Sequence, residues 1–228
     1  GLADEALAML CAVLADFQAW GQVHTTATID ARLASANLAA DRVVVLRPDR
    51  HRSTLLSLAA ECSAALVIAP ESRGVLAGLI HEIETLGLDL LGPGSQAVAV
   101  AADKWQCYQL FRENAIPTPE TYRVEGDELL TVAERIGPPW VVKPQDGVGA
   151  EGVGLATDLE SLGRAQALLG TGRPALLQRY IKGAHASVSL LTTGQRSVAL
   201  SLNEQRMEVG LPFIYRGGRI PLEHPLEE

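Results

Sequence analysis

Cysteine is scarce. Cys11, Cys62 and Cys107 are the three in 228 residues, an odd number, far apart and with no C-x-x-C spacing. That argues against a disulfide framework and a thiolate zinc site, and reads each as a small buried hydrophobe in or beside a helix. No uninterrupted apolar run reaches the roughly 18 residues that span a bilayer, so no membrane partner is expected. No basic tract occurs, and 19 Lys and Arg against 27 Asp and Glu give a net charge of −8. Nucleic acid is therefore disfavoured as a partner. The opening Gly1-Leu2-Ala3-Asp4-Glu5 carries acids where a secretory signal would carry bases, which points to a cytoplasmic protein. Internal repeats and low-complexity segments are also lacking.

What is present is a folding composition. Hydrophobic residues make up 47% of the chain, enough for a sizeable core, and at about 150 residues per domain the length suits one large or two small domains. Residues 3–19 place Ala6, Leu7, Leu10, Val13, Leu14 and Phe17 at helical spacing. Short β-branched runs follow at His24–Ile29, Arg42–Leu46, Ala65–Ala69 and Leu88–Leu91, separated by helical patterns over Arg52–Glu61 and from Ser72, as cap, to Leu86. Apolar strands alternating with helices predict a parallel α/β sheet covered on both faces. Such domains usually begin with a strand, so the helical start suggests a missing first strand.

Ser95 is read as the cap of one helix through about Asn114, and Pro117 and Pro119 as an extended link. Asp127 caps a helix ending at Gly137, and Trp140-Val141-Val142-Lys143 is a strand. Asp158 caps a helix closing at Gly170, Ala175–Ile181 is a strand, and Ser187–Thr192 with Arg196–Leu202 forms an antiparallel hairpin.

Between these elements lies Asp146-Gly147-Val148-Gly149-Ala150-Glu151-Gly152-Val153-Gly154, a literal G-x-G-x-x-G. A dinucleotide fingerprint would open a helix, and a Walker loop would close on Gly-Lys-Ser or Gly-Lys-Thr. Here the next helix waits until Asp158, so the loop joins two strands. It reads either as a glycine-rich β-turn or as a flap whose backbone N–H groups cover phosphates. Lys143, four residues before Gly147, is either a snorkelling strand-end lysine or a point charge for a polyphosphate. Lys104 is by itself an ordinary surface lysine.

Leu91-Gly92-Pro93, Ala102-Asp103-Lys104, Ile116-Pro117-Thr118-Pro119, Val141-Val142-Lys143-Pro144, the 146–154 loop and Leu177-Gln178-Arg179-Tyr180-Ile181-Lys182-Gly183 occur in an order and spacing that resembles the ATP-grasp superfamily of carboxylate–amine ligases. The resemblance implies an α/β ATP-grasp fold with an N-terminal Rossmann-like (pre-ATP-grasp) domain over 1–94 and the ATP-grasp domain over 95–228, with a glycine-loop lid subdomain at about 120–182. It implies ATP and Mg²⁺ as cofactors. Lys104 and Lys143 would bracket the phosphates, and Gly147, Gly149 and Gly152 would form the lid. Gln178, Tyr180 and Ile181 would be the hinge that reads adenine, and His185 would lie near ribose. Relatives often have glutamate after the hinge glutamine, where this chain has Arg179.

A narrower resemblance, to the branch that includes tyramine–L-glutamate ligases, rests on residues 186–191, 200–205 and 215–222 and on Glu5–Leu10 near the start. It makes Asn203, Gln205, Tyr215, Gly217 and Gly218 substrate contacts; Arg206 and Arg216, near those motifs, read either as bidentate clamps for a substrate carboxylate or as isolated structural or solvent-facing arginines. The implied reaction joins a carboxylate, such as glutamate, to an amine through an acylphosphate. A nucleotide-binding module without turnover, or another ligase branch, is the alternative. Superfamily members carry metal-binding acids on a late strand and a Glu-x-Asn pair. Here the sequence stops at Glu227-Glu228, with Glu223 nearby, so the fold is expected to be truncated at the C-terminal end, the metal ligands unknown and turnover absent.

Overall fold

Leu7, Leu10 and Leu14 lie on one stripe of α1 (Leu2–Trp20), and that stripe, with Cys11, closes over Ala27, Ile29 and Leu38. Burying such a stripe is what makes a helix of this composition stable. In this computed structural model, residues 2–126, 128–170 and 174–223 are described, and the chain divides into two compact units, Gly1–Ala102 and Asp103–Glu228.

In the first unit β1 (Thr26–Asp30) runs parallel to β2 (Arg42–Leu46), with Thr26 opposite Arg42. Then come α2 (His51–Ala59), β3 (Ala64–Ala65), α3 (Val75–Thr85), β4 (Asp89–Leu90) and α4 (Ser95–Ala102), with β3 and β4 again parallel. The α/β pattern is as expected, but two strands are shorter. β3 stops at Ala65 because β4 offers it two partners before the Gly92-Pro93-Gly94 turn. Ser72 does not cap α3: it opens a 3₁₀ turn, and Gly74, at φ 69°, is the cap residue. Two residues upstream of that cap, Ser72 is too early to reach the first free amides. Among the described residues no helix is long and apolar enough to cross a membrane.

The second unit opens with α5 (Lys104–Glu113), because the helix read as continuous from Ser95 breaks at Asp103, whose backbone is extended. Next are β5 (Thr121–Val124), α6 (Glu128–Ile136), β6 (Trp140–Pro144), β7 (Gly154–Ala156), α7 (Leu159–Ala167) and β8 (Ala175–Arg179). The four strands form one antiparallel sheet in the order β5-β8-β6-β7. The extended link expected at Pro117 and Pro119 leads into β5, a strand with no expectation of its own, which exists through its pairing with β8. The Asp127 cap and the terminal Glu227-Glu228 lie outside the described residues. Asp158 does cap α7, through a capping box with Ser161.

Period-two burial along β6 sorts the sheet's faces. Trp140 and Val142 point into a core with Leu177, Ala156, Leu129, Ala133 and Leu162 from β7, β8, α6 and α7. The Trp140 indole N–H donates to the Ala133 carbonyl at 3.1 Å, so its one polar atom is satisfied. Register then puts Val141, Lys143, Leu176, Gln178 and Thr121 on the opposite face.

β9 (Ala186–Thr192), β10 (Ser197–Glu208) and β11 (Ile214–Arg219) form a second antiparallel sheet with β10 in the centre. The hairpin was legible; β11 was not. On β9 the half-buried residues are Ser187 and Ser189, and Val188 and Leu190 are exposed. The turn between β10 and β11 docks on β7: the Leu155 N–H donates to the Gly210 carbonyl and the Phe213 N–H to the Val153 carbonyl, both at 2.8 Å. A Cβ on Gly154 would meet Leu211 Cδ1 at 2.6 Å and the Ala165 Cβ at 3.2 Å, so glycine lets that turn approach.

Leu177 is fully buried between helices and sheet. Leu177→Ala is expected to cost about 3 kcal/mol, the middle of the range for core leucines. The check is urea unfolding at constant slope; a loss under about 1 kcal/mol would show that this side chain does not anchor the core.

Candidate functional site

Asp103 shapes the start of α5. Its Oδ1 accepts from the Trp105 and Gln106 amides at 2.9 and 3.1 Å, and its Oδ2 from the side-chain amides of Gln106 and Gln145 at 3.0 and 2.7 Å. The Lys104 N–H, a helix-end donor without an intrahelical partner, donates to the Gln145 carbonyl at 2.9 Å. All three amides at the helix start are thus satisfied by this cap and by the residue that follows β6. Burial pushes the Asp103 carboxyl up, and the hydrogen bonds from Gln106, Gln145 and Trp105 bring it below its ordinary value.

This arrangement aims Lys104 at the glycine loop. Its ammonium donates to the Gly147 carbonyl at 2.8 Å. Burial lowers the Lys104 pKa, and Asp146 and Asp103 partly restore it. Lys143, at the end of β6, is more strongly affected: burial, then repulsion from Lys104, lower it to about 8. Cys107 lies in the same electrostatic neighbourhood, its thiol pushed up by burial and by Asp103 and pulled down by both lysines. The structure therefore brings Lys104 onto the loop's first glycine and within electrostatic reach of Lys143.

The loop joins β6 to β7 through two tight turns, Glu151 N–H to Val148 carbonyl and Val153 N–H to Ala150 carbonyl. Gly147, Gly149 and Gly152 stand at φ 110°, 63° and 70°, where a side chain would be strained. The reading of a strand-to-strand loop holds.

Gln178 and Tyr180, expected at the hinge, are held by bonds across the strands. The Gln178 side chain donates to Thr121 Oγ1 at 2.5 Å, across β8 to β5. Thr121 is buried. The Tyr180 N–H donates to the Pro139 carbonyl at 2.9 Å, so in this conformation that amide is already committed. Ile181 is exposed, and the His185 carbonyl accepts from the Gln205 N–H at 2.8 Å.

On the second sheet, Asn203 accepts from Ser201 and donates to Ser189, at 2.8 and 2.9 Å, which uses both ends of its amide. Arg206 and Arg216 already face carboxylates. Arg216 grips Glu208 with both ends of its fork at 2.8 and 3.0 Å, and Arg206 lies 3.5 Å from Glu204. Register skips between Gln205 opposite Gly218 and Met207 opposite Tyr215, so Arg216 and Gly217 together oppose Arg206 in a β-bulge. Gly217 has φ 107°, and a Cβ on Gly218 would lie 3.0 Å from the Glu204 carbonyl. Both glycines thus have a backbone reason to be there. Tyr215 is exposed on this edge.

Sequence reasoning quoted Asp103 without giving it a task and passed over Gln145. An aspartate just before a helical run is an N-cap signal that could have found the first; nothing local marks the second. Among the described residues no group of three His, Cys, Asp or Glu side chains could hold a metal ion.

Residues 101–228 match the ATP-grasp domain model, and residues 23–98 match the pre ATP-grasp 3 domain model. Over 123 residues the chain is 38% identical to a D-alanine–D-alanine ligase of Synechococcus sp. (strain JA-3-3Ab), a match covering 52% of this chain and 37% of that ligase. The fold resembles the biotin carboxylase domain of Hydrogenobacter thermophilus 2-oxoglutarate carboxylase in complex with MgADP, ADP and bicarbonate, with a TM-score of 0.74 at 20% identity, covering 87% of this chain and 48% of that one. It also resembles N5-carboxyaminoimidazole synthetase of Staphylococcus aureus complexed with ADP, with a TM-score of 0.70 at 16% identity, covering 95% and 56%. The matched region spans about a third of the curated relative and about half of these solved chains.

Lys143 has a stability consequence that needs no ligand. Its folded pKa of about 8 lies below the ordinary lysine value, so the unfolded chain binds the proton more tightly. The resulting cost is complete below pH 8 and fades as pH rises toward the unfolded value near 10.4. Lys143→Met is expected to stabilise the fold by roughly 1–3 kcal/mol at pH 7 and by much less at pH 9.5. Denaturant unfolding at the two pH values checks this, and equal effects would show that the ammonium is not desolvated.

Proposed function

The chain belongs to the ATP-grasp family, and from that premise we propose that it serves ATP-dependent ligation of a carboxylate to an amine, with Lys104 and Lys143 holding the nucleotide's phosphates under the glycine loop. The observation that carries this reading is the proximity of two half-buried lysines beside the glycine loop, Lys104 bonded to the Gly147 carbonyl and Lys143 repelled by Lys104. Two ammonium groups drawn from water make a poor resting place for each other and a good one for an anion.

In this reading the substrate carboxylate oxygen attacks the γ-phosphorus of ATP, and ADP leaves with the electron pair of the broken P–O bond. The amine then attacks the acylphosphate carbon, phosphate leaves, and the amine proton passes to solvent. The chain's contribution is to bind and position the phosphates, to neutralise part of their charge, and to exclude water by covering them. Arg206 and Arg216 are the candidates for the carboxylate. Each faces a glutamate now, so a substrate would displace a carboxylate of its own kind. Gln178 would act through the β8 backbone, since its side chain is held by Thr121.

The D-alanine–D-alanine ligase relative supports an amino-acid carboxylate and an amine as the substrate class. Glutamate with tyramine is one pair within that class, suggested by the 186–222 motifs.

Calorimetric titration of ATP tests the phosphate role. Lys143→Ala is expected to weaken binding by about 1.5–3 kcal/mol, the range for hydrogen bonds to charged groups. Wild-type affinity should fall as pH rises through about 8, where Lys143 loses its proton. Unchanged affinity in the variant would remove Lys143 from the site. Phosphate release screened across amino acids and amines, glutamate and tyramine included, tests the ligation; release that no amine stimulates would count against it.

A further inference from the structure

We propose that Gln145 is a positioning residue that fixes the placement of Lys104 relative to Lys143. Gln145 lies two residues after Lys143 and two before Gly147, and it grips the start of α5 at two points. Its carbonyl accepts from the Lys104 N–H at 2.9 Å, and its side-chain amide donates to Asp103 Oδ2 at 2.7 Å. One bond would set a distance. Two bonds to adjacent residues also set an orientation, because Asp103 is itself locked to the helix through the Trp105 and Gln106 amides. The lysine on α5 is thereby registered against the lysine on β6 across a gap of some forty residues of chain.

The amide's orientation follows from its partner. Turned over, its oxygen would face a carboxylate oxygen, acceptor against acceptor, so the N–H end must face Asp103. The other end, Gln145 Oε1, is buried and has no hydrogen-bond partner. A buried acceptor left open is a local cost, retained here beside the two lysines, where proteins most often keep a locally unfavourable arrangement for function. Glutamine at this position is explained by its donor end and its main chain together.

The proposal rests on the reading that Lys104 and Lys143 bind the nucleotide, and the test separates the two. ADP is titrated into the wild type, Gln145→Glu, Gln145→Met and the pair Asp103→Asn with Gln145→Glu. In Gln145→Glu two carboxylates oppose each other and the clasp opens; binding should weaken at least about tenfold, within the range for coupled neighbours. The double variant restores donor to acceptor with the polarity reversed, and should recover to within about threefold of wild type. A merely structural effect of the glutamate would give no such recovery, and because the double variant also restores the wild-type net charge, an uncharged variant separates the clasp from a charge effect. Gln145→Met deletes the donor without adding charge. It should weaken binding about tenfold and move the pH at which binding falls off upward from about 8. Lys143 is faced by Lys104 and Cys107, and Lys104 in turn by Asp146 and Asp103, so a relaxed clasp lessens the repulsion. Wild type that fails to bind ADP would overturn the nucleotide reading and this proposal with it. Wild type that binds, with Gln145→Met binding equally well at an unchanged pH midpoint, or a double variant as weak as Gln145→Glu, would overturn the clasp alone.

Discussion

Two positive charges are kept near each other and away from water in the second unit, and most of its local arrangement answers to that fact. Lys143 stands at the end of a strand whose other face is packed with Trp140 and Val142, so it cannot retreat into bulk solvent without disturbing a core. Lys104 is brought in by a helix whose start is tied down through Asp103. Burial is the larger cause of both pKa shifts, and mutual repulsion adds to it at Lys143. Asp146 and Asp103 offset part of the shift at Lys104, whereas at Lys143 the opposing influence is Cys107. The asymmetry leaves Lys143, at about 8, the more strongly lowered of the two.

The second sheet shows the opposite style of electrostatics. Arg216 with Glu208 and Arg206 with Glu204 are pairs on exposed strand surface, worth little to stability in water. The burial pattern there is also reversed, with serines turned inward and valine and leucine outward on β9. The bulge opposite Arg206 accounts for Gly217 and Gly218 by geometry: one has a backbone only glycine adopts easily, and the other sits close to a carbonyl.

What was legible in the residues depended on how locally each feature is determined. The stripe on α1, the strand at Trp140–Lys143, the Asp158 capping box and the β9–β10 hairpin are set by neighbours within a few positions, and each was readable. The loop from Asp146 to Gly154 could be denied a dinucleotide role because the next cap lies beyond its following strand. The break at Asp103, the brevity of β3 and the strand character of β5 were not readable. They depend on Gln145, β4 and β8, partners distant in the chain. At the candidate site the same division holds: Lys143 and the glycines were marked by type and spacing and Lys104 only by the family resemblance, whereas the committed Tyr180 amide and the Gln178 bond to Thr121 exist only once strands are paired.

The docking of the 210–213 turn against β7 bears on how the glycine loop can move. The arm that descends from the loop is stitched to the turn by the Leu155 and Phe213 amides, and Leu211 sits over Gly154 where a methyl group would not fit. Any swing of that arm must either break two main-chain bonds and unseat Leu211 or carry the β10–β11 turn along as a crank carries its rod. Arg216 and Glu208 flank that turn, so their ion pair sits on the very element that such a swing would have to displace.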